Sequence, residues 1–311
     1  LTMALGAAYG GALGITGSSG PGLALKIEAI NLAVMTELPL IIFNFMRSGI
    51  STGMPTKTEQ GDLAMALFGR PSDSHLIVLA PESASDCFWI SIEAVRLATK
   101  YMTPVIVLSE GFLINASEPW KLPDLSTIPK MEPPFRTDPE NYLPYIRNKE
   151  TLARDWVRIG TKGLEHTIGG LEKINETGAI SQDPENHDLM TRLRAEKVQK
   201  VQNDIPDVEV LGDKDADLVL LGWGSAIGSM RASAEVIAKR YINPFPKNLE
   251  AVLKSFKKVA VVELNLGQLN MIIRSKFMID TSFLGRVTGQ PISVVEMVEF
   301  INNELNLLKE H

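Results

Sequence analysis

Two segments hold the residues best suited to binding a small ligand. The first, Gly17-Ser-Ser-Gly-Pro-Gly22, stands between a short apolar run and a helical pattern. Glycines let a backbone approach a ligand closely, and the N-terminus of the following helix offers free N–H groups. The segment is not a Walker loop, because no Gly-Lys-Ser/Thr follows it, and it is not GxGxxG either. A tight strand-to-helix turn without a ligand is the alternative interpretation.

The second segment, RSGISTGMPTKTEQGD at residues 47–62, directly follows the apolar run PLIIFNF. Loops at the carboxyl ends of parallel strands are where α/β proteins bind their ligands. Its hydroxyl groups and its two cations, Arg47 and Lys57, suit a small dicarboxylate, because a buried carboxylate needs a charge-assisted partner. The alternative is a solvated polar loop.

Three further sites could carry chemistry, but each also has a structural interpretation. His166, in GLEHTIGG, could be catalytic, although a structural or interface histidine is the favoured interpretation. Cys87 lies on the apolar face of a predicted helix, which is typical of a buried, inert thiol. Glu263 and Asn265 follow an apolar strand, where they could touch a ligand or cap the strand end.

Apolar runs alternate with helical patterns along the chain, which predicts largely parallel sheets covered by helices. The predicted strands are 12–16, 39–45, 76–80, 104–109, 217–223 and 258–264. The predicted helices are 23–35, 58–68, 85–100, 188–202, 230–240, 249–256, 267–278 and 292–308. Ser85 is expected to cap its helix through its hydroxyl. The pattern also requires a parallel strand between Arg240 and Tyr241, so either the sheet is smaller there or, as we favour, residues are missing.

The bulk composition narrows the classes of function. A chain of 311 residues suits two α/β domains, and its net charge of −6 makes nucleic acid an unexpected partner. The only cysteine, Cys87, excludes an internal disulfide and an iron–sulfur cluster held by this chain alone, and it fits a reducing cytoplasm. The four histidines form no zinc-ligand spacing. Without an apolar run of roughly 18 residues, no membrane span is predicted.

The motifs together resemble one family. The Gly17–Gly22 turn, followed by a helix ending in Thr36-Glu-Leu-Pro39 and then a strand, is similar to the pyrimidine-binding domain of thiamine diphosphate enzymes. The string STGMPTKTEQGDL narrows the resemblance to the α subunit of 2-oxoglutarate:ferredoxin oxidoreductases. Further stretches that resemble this family are TPVIVLSEGFL, EPPFRTDPENYLPY, GLEHTIGGLE, GAISQDPENH, RYINPFPKNL and VVELNLGQL.

The resemblance implies two three-layer α/β domains. A pyrimidine-type, thiamine diphosphate-binding fold would occupy residues 1–115, and a transketolase C-terminal-like domain would occupy 188–311. Residues 116–187, rich in prolines and charges, would form an extended connecting segment. The implied reaction converts 2-oxoglutarate and coenzyme A to acyl-CoA and CO2, with electrons passing to ferredoxin. Pyruvate or a branched-chain 2-oxoacid is the rival substrate, and a non-catalytic scaffold subunit is the rival function.

The resemblance also implies site residues and partners. Lys57, Ser51 and Thr52 match the loop near the 2-oxoacid, and the glutamate that activates the cofactor is expected before Leu1. The residues matching the turn near the cofactor pyrimidine are Gly17, Ser18, Ser19, Gly20, Pro21 and Gly22. A β subunit would share thiamine diphosphate and Mg²⁺ with this chain and would hold the [4Fe–4S] cluster. We therefore expect a cytoplasmic (αβ)₂ assembly, and a chain that is inactive alone.

Overall fold

The computed structural model describes residues 1–234 and 236–310. The strands in this part of the chain are β1 Gly14–Ser18, β2 Leu40–Met46, β3 Ile77–Leu79, β4 Pro104–Glu110, β5 Leu218–Trp223, β6 Val236–Lys239, β7 Tyr241–Asn243, β8 Lys258–Glu263 and β9 Thr281–Gly285. The α-helices are α1 Thr2–Tyr9, α2 Gly20–Ala24, α3 Ile27–Thr36, α4 Leu63–Phe68, α5 Asp86–Tyr101, α6 Gly111–Asn115, α7 Pro184–Lys200, α8 Ala226–Arg231, α9 Leu249–Lys254, α10 Gln268–Phe277 and α11 Val294–Lys309.

The strands form two sheets. The first has the order β1-β2-β4-β3-β7, and only β7 runs antiparallel to its neighbour. The second, β6-β5-β8-β9, is parallel throughout. Because β7 comes from the second half of the chain, the first sheet takes strands from both sides of the connecting segment. The division at 1–115, 116–187 and 188–311 stays a prediction.

One hydrophobic core lies between the two sheets and joins them. Leu40 and Ile42 of β2 face this shared core, whereas Ile41 faces α5 and α7 on the outer side. In the second sheet Leu221 faces the shared core and Leu220 faces α8 and α11. Alternate side chains of a strand point to opposite faces, so the inner strands of both sheets are largely buried on both sides. This burial explains why the strands appear as continuous apolar runs.

Two of the helices are predicted with the wrong bounds. The helix predicted at 23–35 is two helices, α2 and α3, which break where the Lys26 ammonium turns back to donate to the Gly22 carbonyl at 3.0 Å. The helix predicted at 58–68 begins only at Leu63. Before that residue, the backbone N–H groups of Thr58 and Gln60 donate to distant carbonyls, those of Gly289 and Leu264. Long-range bonds replace the helical ones there.

The helix predicted at 230–240 is also wrong. It ends at Arg231, and the strand that the pattern requires is β6, which pairs with β5 inside that same range. Missing residues are therefore not needed to supply this strand. Glu235, within the predicted helix, lies outside the described residues. The predicted cap at Ser85 is wrong as well, because its hydroxyl makes no capping bond and instead lies 3.1 Å from the Ser83 hydroxyl.

The segment between α6 and α7 has little regular secondary structure. It contains one short 3₁₀ turn, Leu125–Thr127, and otherwise wraps over the first sheet's helices. Trp156 anchors it, since its side chain is 1% exposed and its indole donates to the Ala8 carbonyl at 3.2 Å. Among the described helices, none has the length and hydrophobicity needed to cross a bilayer.

Candidate functional site

The glycine turn and the polar loop emerge side by side from neighbouring strands. Strands β1 and β2 pair in parallel register, with Gly17 opposite Phe43 and Ser18 opposite Asn44. Both segments therefore leave the same carboxyl edge of the sheet. Gly17 needs to be small because a Cβ there would lie 3.1 Å from the Phe45 ring.

Asp62 joins the two segments. A Cβ on Gly20 would lie 2.8 Å from both carboxylate oxygens of Asp62, so only glycine lets this carboxylate approach the turn. Asn44 donates to the same carboxylate at 2.8 Å. Burial raises the pKa of Asp62, while the Asn44 hydrogen bond opposes that shift. The structure thus brings the end of the 47–62 loop onto the beginning of α2.

Lys26 provides a cation at the turn that the sequence analysis did not single out. Its ammonium donates to the Ser18 hydroxyl at 3.1 Å and to the Gly22 carbonyl at 3.0 Å. Because Lys26 follows Gly22 by four residues, helical spacing alone could have suggested this contact. The turn therefore combines a compact backbone with one positive charge.

The polar loop folds back on itself instead of lying flat on the turn. Ser48 N–H donates to the Lys57 carbonyl at 3.0 Å, and Met54 N–H donates to the Ser48 carbonyl at 2.8 Å. The Glu59 carboxylate accepts from the Ser48 hydroxyl and from Gly49 N–H, both at 2.9 Å. These bonds fix the base of the loop and leave residues 49–57 exposed.

The predicted substrate residues take different places on this loop. Ser51 and Thr52 lie at its exposed tip, and Ser51 has a positive φ of 52°. Lys57 is exposed at the base, where its aliphatic part packs close to Gly289 of the second half. Within the described residues, no hydrogen bond or ion pair joins these three side chains to the Gly17–Gly22 turn. Their assignment to the substrate stays a prediction.

Gln60 ties the loop to both sheets. Its side-chain amide donates to Glu110 at 2.9 Å and to the Trp223 carbonyl at 2.8 Å, and it accepts from Leu264 N–H at 2.9 Å. Glu110 also accepts from the Thr58 hydroxyl at 2.6 Å and from Ser225 N–H at 2.8 Å. This fully buried network places the loop at the junction of the two sheets.

Glu263 and Asn265 cap a helix rather than reach a ligand. Glu263 accepts from Leu269 and Asn270 N–H groups at the beginning of α10, and from the Trp223 indole and the Asn265 amide. Asn265 accepts from Gly267 and Gln268 N–H groups. The structural interpretation is confirmed for these two residues, because each polar atom is used inside the protein.

A cavity of about 490 Å³, lined by residues of β2, β4 and α5, opens near the carboxyl edge of the first sheet. Its wall includes Phe45, which also touches the Gly17 position, and Cys87. Burial raises the pKa of the Cys87 thiol, as expected for an unreactive cysteine. The Ser109 hydroxyl also lines the cavity, where it is hydrogen-bonded to the Cys87 thiol. The cavity thus offers an aromatic wall and a paired hydroxyl and thiol.

The raised pKa of Glu110 predicts that glutamine at this position makes the protein more stable at neutral pH. Burial raises this pKa above its ordinary value of 4.5, since no cation contacts the carboxylate. The resulting stability is fully present below about pH 4.5 and is lost as the pH rises through the folded-state pKa. Glutamine could keep every bond, because its carbonyl can accept from Gln60 and Ser225 while its amide donates to the Thr58 hydroxyl. We therefore expect Glu110→Gln to match the wild type in acid and to be more stable at neutral and alkaline pH, as measured by urea unfolding.

Glu263 provides the matched control for that experiment. Both of its oxygens accept from N–H groups, which cannot reverse their polarity. In Glu263→Gln an amide would face an N–H donor, which leaves a buried group unsatisfied at a cost of about 1–3 kcal/mol. If urea unfolding gave the same change in stability for Glu110→Gln and Glu263→Gln, the assigned hydrogen-bond pattern would be contradicted.

The family model described as pyruvate flavodoxin/ferredoxin oxidoreductase, thiamine diphosphate-binding, matches residues 1–186, which is more than half of the chain. The chain belongs to this family. The predicted family resemblance and the predicted α/β fold class are therefore confirmed.

Named members of the family are similar to the chain over most of its length. The 2-oxoglutarate oxidoreductase subunit KorA of Mycobacterium tuberculosis is 48% identical over 313 residues, covering 97% of this chain and 48% of that protein. The 2-oxoglutarate synthase subunit KorA of Methanothermobacter marburgensis is 31% identical, covering 85% of this chain and 73% of that protein. The chain thus spans about half the length of the Mycobacterium relative.

A solved structure from the family has the same fold. It is the 2-oxoglutarate:ferredoxin oxidoreductase from Magnetococcus marinus with 2-oxoglutarate, coenzyme A and succinyl-CoA bound. It superposes with a TM-score of 0.89 at 33% identity, covering 97% of this chain and 55% of that one. The similarity therefore extends over both sheets of this chain.

Proposed function

We propose that the chain is part of the α subunit of a 2-oxoglutarate:ferredoxin oxidoreductase. The reaction would be the oxidative decarboxylation of 2-oxoglutarate with coenzyme A to succinyl-CoA and CO2, with electrons passing to ferredoxin. The proposal depends on one observation, the meeting of the Gly17–Gly22 turn with the 47–62 loop at Asp62. The names of two relatives include 2-oxoglutarate, and we propose the same substrate for this shared edge.

The residues at this edge fit the pyrimidine side of thiamine diphosphate. Gly17 to Gly22 would approach the cofactor through their backbone, and Phe45 would face its flat ring across the cavity wall. When bound, thiamine diphosphate supplies the carbanion sink of the reaction.

The 2-oxoacid would be met by the exposed cation of the polar loop. Lys57 would hold a carboxylate as a point charge, and Ser51 and Thr52 would add hydroxyl donors from the loop tip. Hydrogen bonds of the Glu59 and Gln60 side chains hold the base of the loop beside the sheet junction.

The remaining cofactor groups are assigned to a β chain. Within the described residues, no group of three or more His, Cys, Asp or Glu side chains could hold a metal ion. We therefore assign Mg²⁺, the diphosphate and a [4Fe–4S] cluster to the partner, and we propose an (αβ)₂ assembly in the cytoplasm. Ferredoxin would receive the electrons from that partner.

Reconstitution tests the proposed function. The full-length α chain, purified with its β chain, should release CO2 from carboxyl-labelled 2-oxoglutarate only when thiamine diphosphate, coenzyme A and an electron acceptor are all present. Pyruvate and a branched-chain 2-oxoacid serve as competing substrates. CO2 release only from one of those acids would overturn the substrate assignment, and no release from any of the three would favour a scaffold subunit.

Gly20→Ala should weaken cofactor binding in that complex. Its Cβ would lie 2.8 Å from both Asp62 oxygens, so the carboxylate must leave the turn. Because the clash is with the end of a flexible side chain, the fold should tolerate it, and the displaced carboxylate is expected to lower the thiamine diphosphate affinity about tenfold. Titration of the cofactor into the apoenzyme measures the loss. Gly6→Ala in α1 is the control, because nothing lies within 4 Å of its added Cβ; equal losses in both would argue against the turn.

A further inference from the structure

Four side chains of the connecting segment each have a buried polar atom without a hydrogen-bond partner among the described residues. We call this group the Arg154 cluster. It comprises Tyr142 Oη, Tyr145 Oη, Arg154 Nη2 and His166 Nε2. Buried polar atoms are seldom left unpaired, so such a concentration indicates that a ligand or solvent completes the bonds. The sequence analysis considered His166 alone and did not connect it with the other three residues.

The four side chains form two contacting pairs. The His166 ring meets the Tyr142 ring edge-on, with 5.8 Å between their centres, and the Arg154 guanidinium carbon lies 5.6 Å from the centre of the Tyr145 ring. Burial raises the pKa of both tyrosines and lowers that of His166, while the nearby Arg154 charge lowers all three pKa values. The positive charge of Arg154 therefore acts on the whole group.

Arg154 itself lacks a counterion. Arg154 is only 2% exposed. Its Nε donates to the Thr36 carbonyl at 3.3 Å, and its Nη1 donates to the Asp155 carbonyl at 3.0 Å. No ion pair to Arg154 occurs in the described part of the chain. An unpaired buried guanidinium is costly unless an anion accompanies it.

The surroundings also carry excess positive charge. Four cationic side chains face two buried or half-buried carboxylates, Arg154 adds a fifth positive charge that pairs with neither, and His187 contacts one carboxylate from the solvent side. The cations are Arg147, Arg154, Lys173, Arg194 and Lys197, and the carboxylates are Glu37 and Glu172. Asp155, the next acidic group, pairs with Arg136. The cluster therefore has more positive than negative charge, which favours an anion over water.

The hydrogen-bonding pattern specifies the kind of anion. Arg154 Nη2 and the two tyrosine hydroxyls can all donate. His166 Nδ1 lies 2.8 Å from the Leu164 carbonyl, and a carbonyl can only accept, so Nδ1 bears the hydrogen and Nε2 of the neutral ring accepts. We propose that the Arg154 cluster binds a small monovalent oxyanion that retains one O–H group, of the bicarbonate class. Its oxygens accept from Arg154, Tyr142 and Tyr145, and its hydroxyl donates to His166.

Thermal unfolding of the full-length protein in its native assembly tests this site. Bicarbonate, chloride and nitrate are compared at equal ionic strength against gluconate, at a pH where bicarbonate predominates. At a concentration ten times its Kd, bicarbonate should raise Tm by about 2–4 °C, and chloride and nitrate should raise it less because neither can donate to His166. Equal effects of the three anions, or no effect of any, would overturn the proposal.

Two variants make the test specific. The double variant Tyr142→Phe with Tyr145→Phe removes two donors without changing ring packing, and it should abolish the bicarbonate response. Tyr101→Phe is the control, because that buried hydroxyl is paired with the Lys200 carbonyl at 3.3 Å, outside the cluster. If the tyrosine hydroxyls bound nothing, their removal would leave Tm unchanged or raise it, and the bicarbonate response would persist in the double variant. That result would rule out the site.

Discussion

Replacing Glu37 with glutamine is expected to destabilise the protein by about 3–5 kcal/mol. The Glu37 carboxylate is fully buried and accepts from Arg147 at 2.6 and 2.8 Å and from Lys197 at 2.5 Å. Arg147 and Lys197 are themselves 6% and 2% exposed, so neither can recover its hydration if the charge is lost. Glutamine would leave two buried cations without a counterion, which is the costly way to break a buried ion pair.

Burial alone would raise the pKa of Glu37, but the charges of Lys197 and Arg147 lower it well below its ordinary value of 4.5. The stability from this lowered pKa is present above about pH 4.5 and is lost as the pH falls toward the folded-state value. The difference between wild type and Glu37→Gln, measured by urea unfolding at several pH values, should therefore be large at neutral pH and should narrow in acid.

Lys197→Met is the matched control for Glu37→Gln. It removes one buried cation and keeps the bidentate Arg147–Glu37 pair, so the charge that remains is compensated. Methionine has a similar length but leaves the Met102 carbonyl without its Lys197 donor, so a loss smaller than that of Glu37→Gln is expected. A loss as large as that of Glu37→Gln would mean that Lys197, and not charge compensation, carries the stability.

The fold could be predicted from the sequence where the signal was local. Strands β2, β4, β5 and β8 are apolar runs buried on both faces, and each was found close to its observed bounds. Strand β6 was missed because Val236–Lys239 continues a helical pattern and contains alanine and lysine, which are good helix formers. Its pairing with β5 overrides that local preference. Strand β9 was missed because its glycine and serine weaken the strand signal.

The candidate site could be predicted only in part, because local sequence patterns do not reveal contacts between distant residues. Parallel strands place their loops at one edge, so the proximity of the turn and the polar loop followed from the order of elements. The contacts that fix the site did not, because Gln60 bonds to Leu264 and Asn265 across more than 200 residues. Glu37 likewise meets partners 110 and 160 residues away. Periodicity and propensity contain no information about such pairs.

Lys57→Ala is expected to raise the KM for 2-oxoglutarate by about 10- to 100-fold, because a hydrogen bond to a charged group contributes about 1.5–3 kcal/mol. The substitution should leave the fold intact. Lys57 is exposed, and the loop base is held by its backbone carbonyl, which accepts from Ser48 N–H at 3.0 Å. The measurement compares KM for 2-oxoglutarate and for a 2-oxoacid with an uncharged tail in the reconstituted complex.

The comparison between substrates carries the argument, since a general defect would raise both KM values together. If Lys57 holds the distal carboxylate, the uncharged-tail substrate loses nothing and its KM stays near the wild-type value. Lys57→Arg keeps the charge and should retain most of the affinity, although its planar fork presents different donors. Lys130→Ala, an exposed lysine of the connecting segment, controls for net charge. If KM rises equally for both substrates, the exposed ammonium at the loop base does not select 2-oxoglutarate, and recognition must come from groups outside this loop.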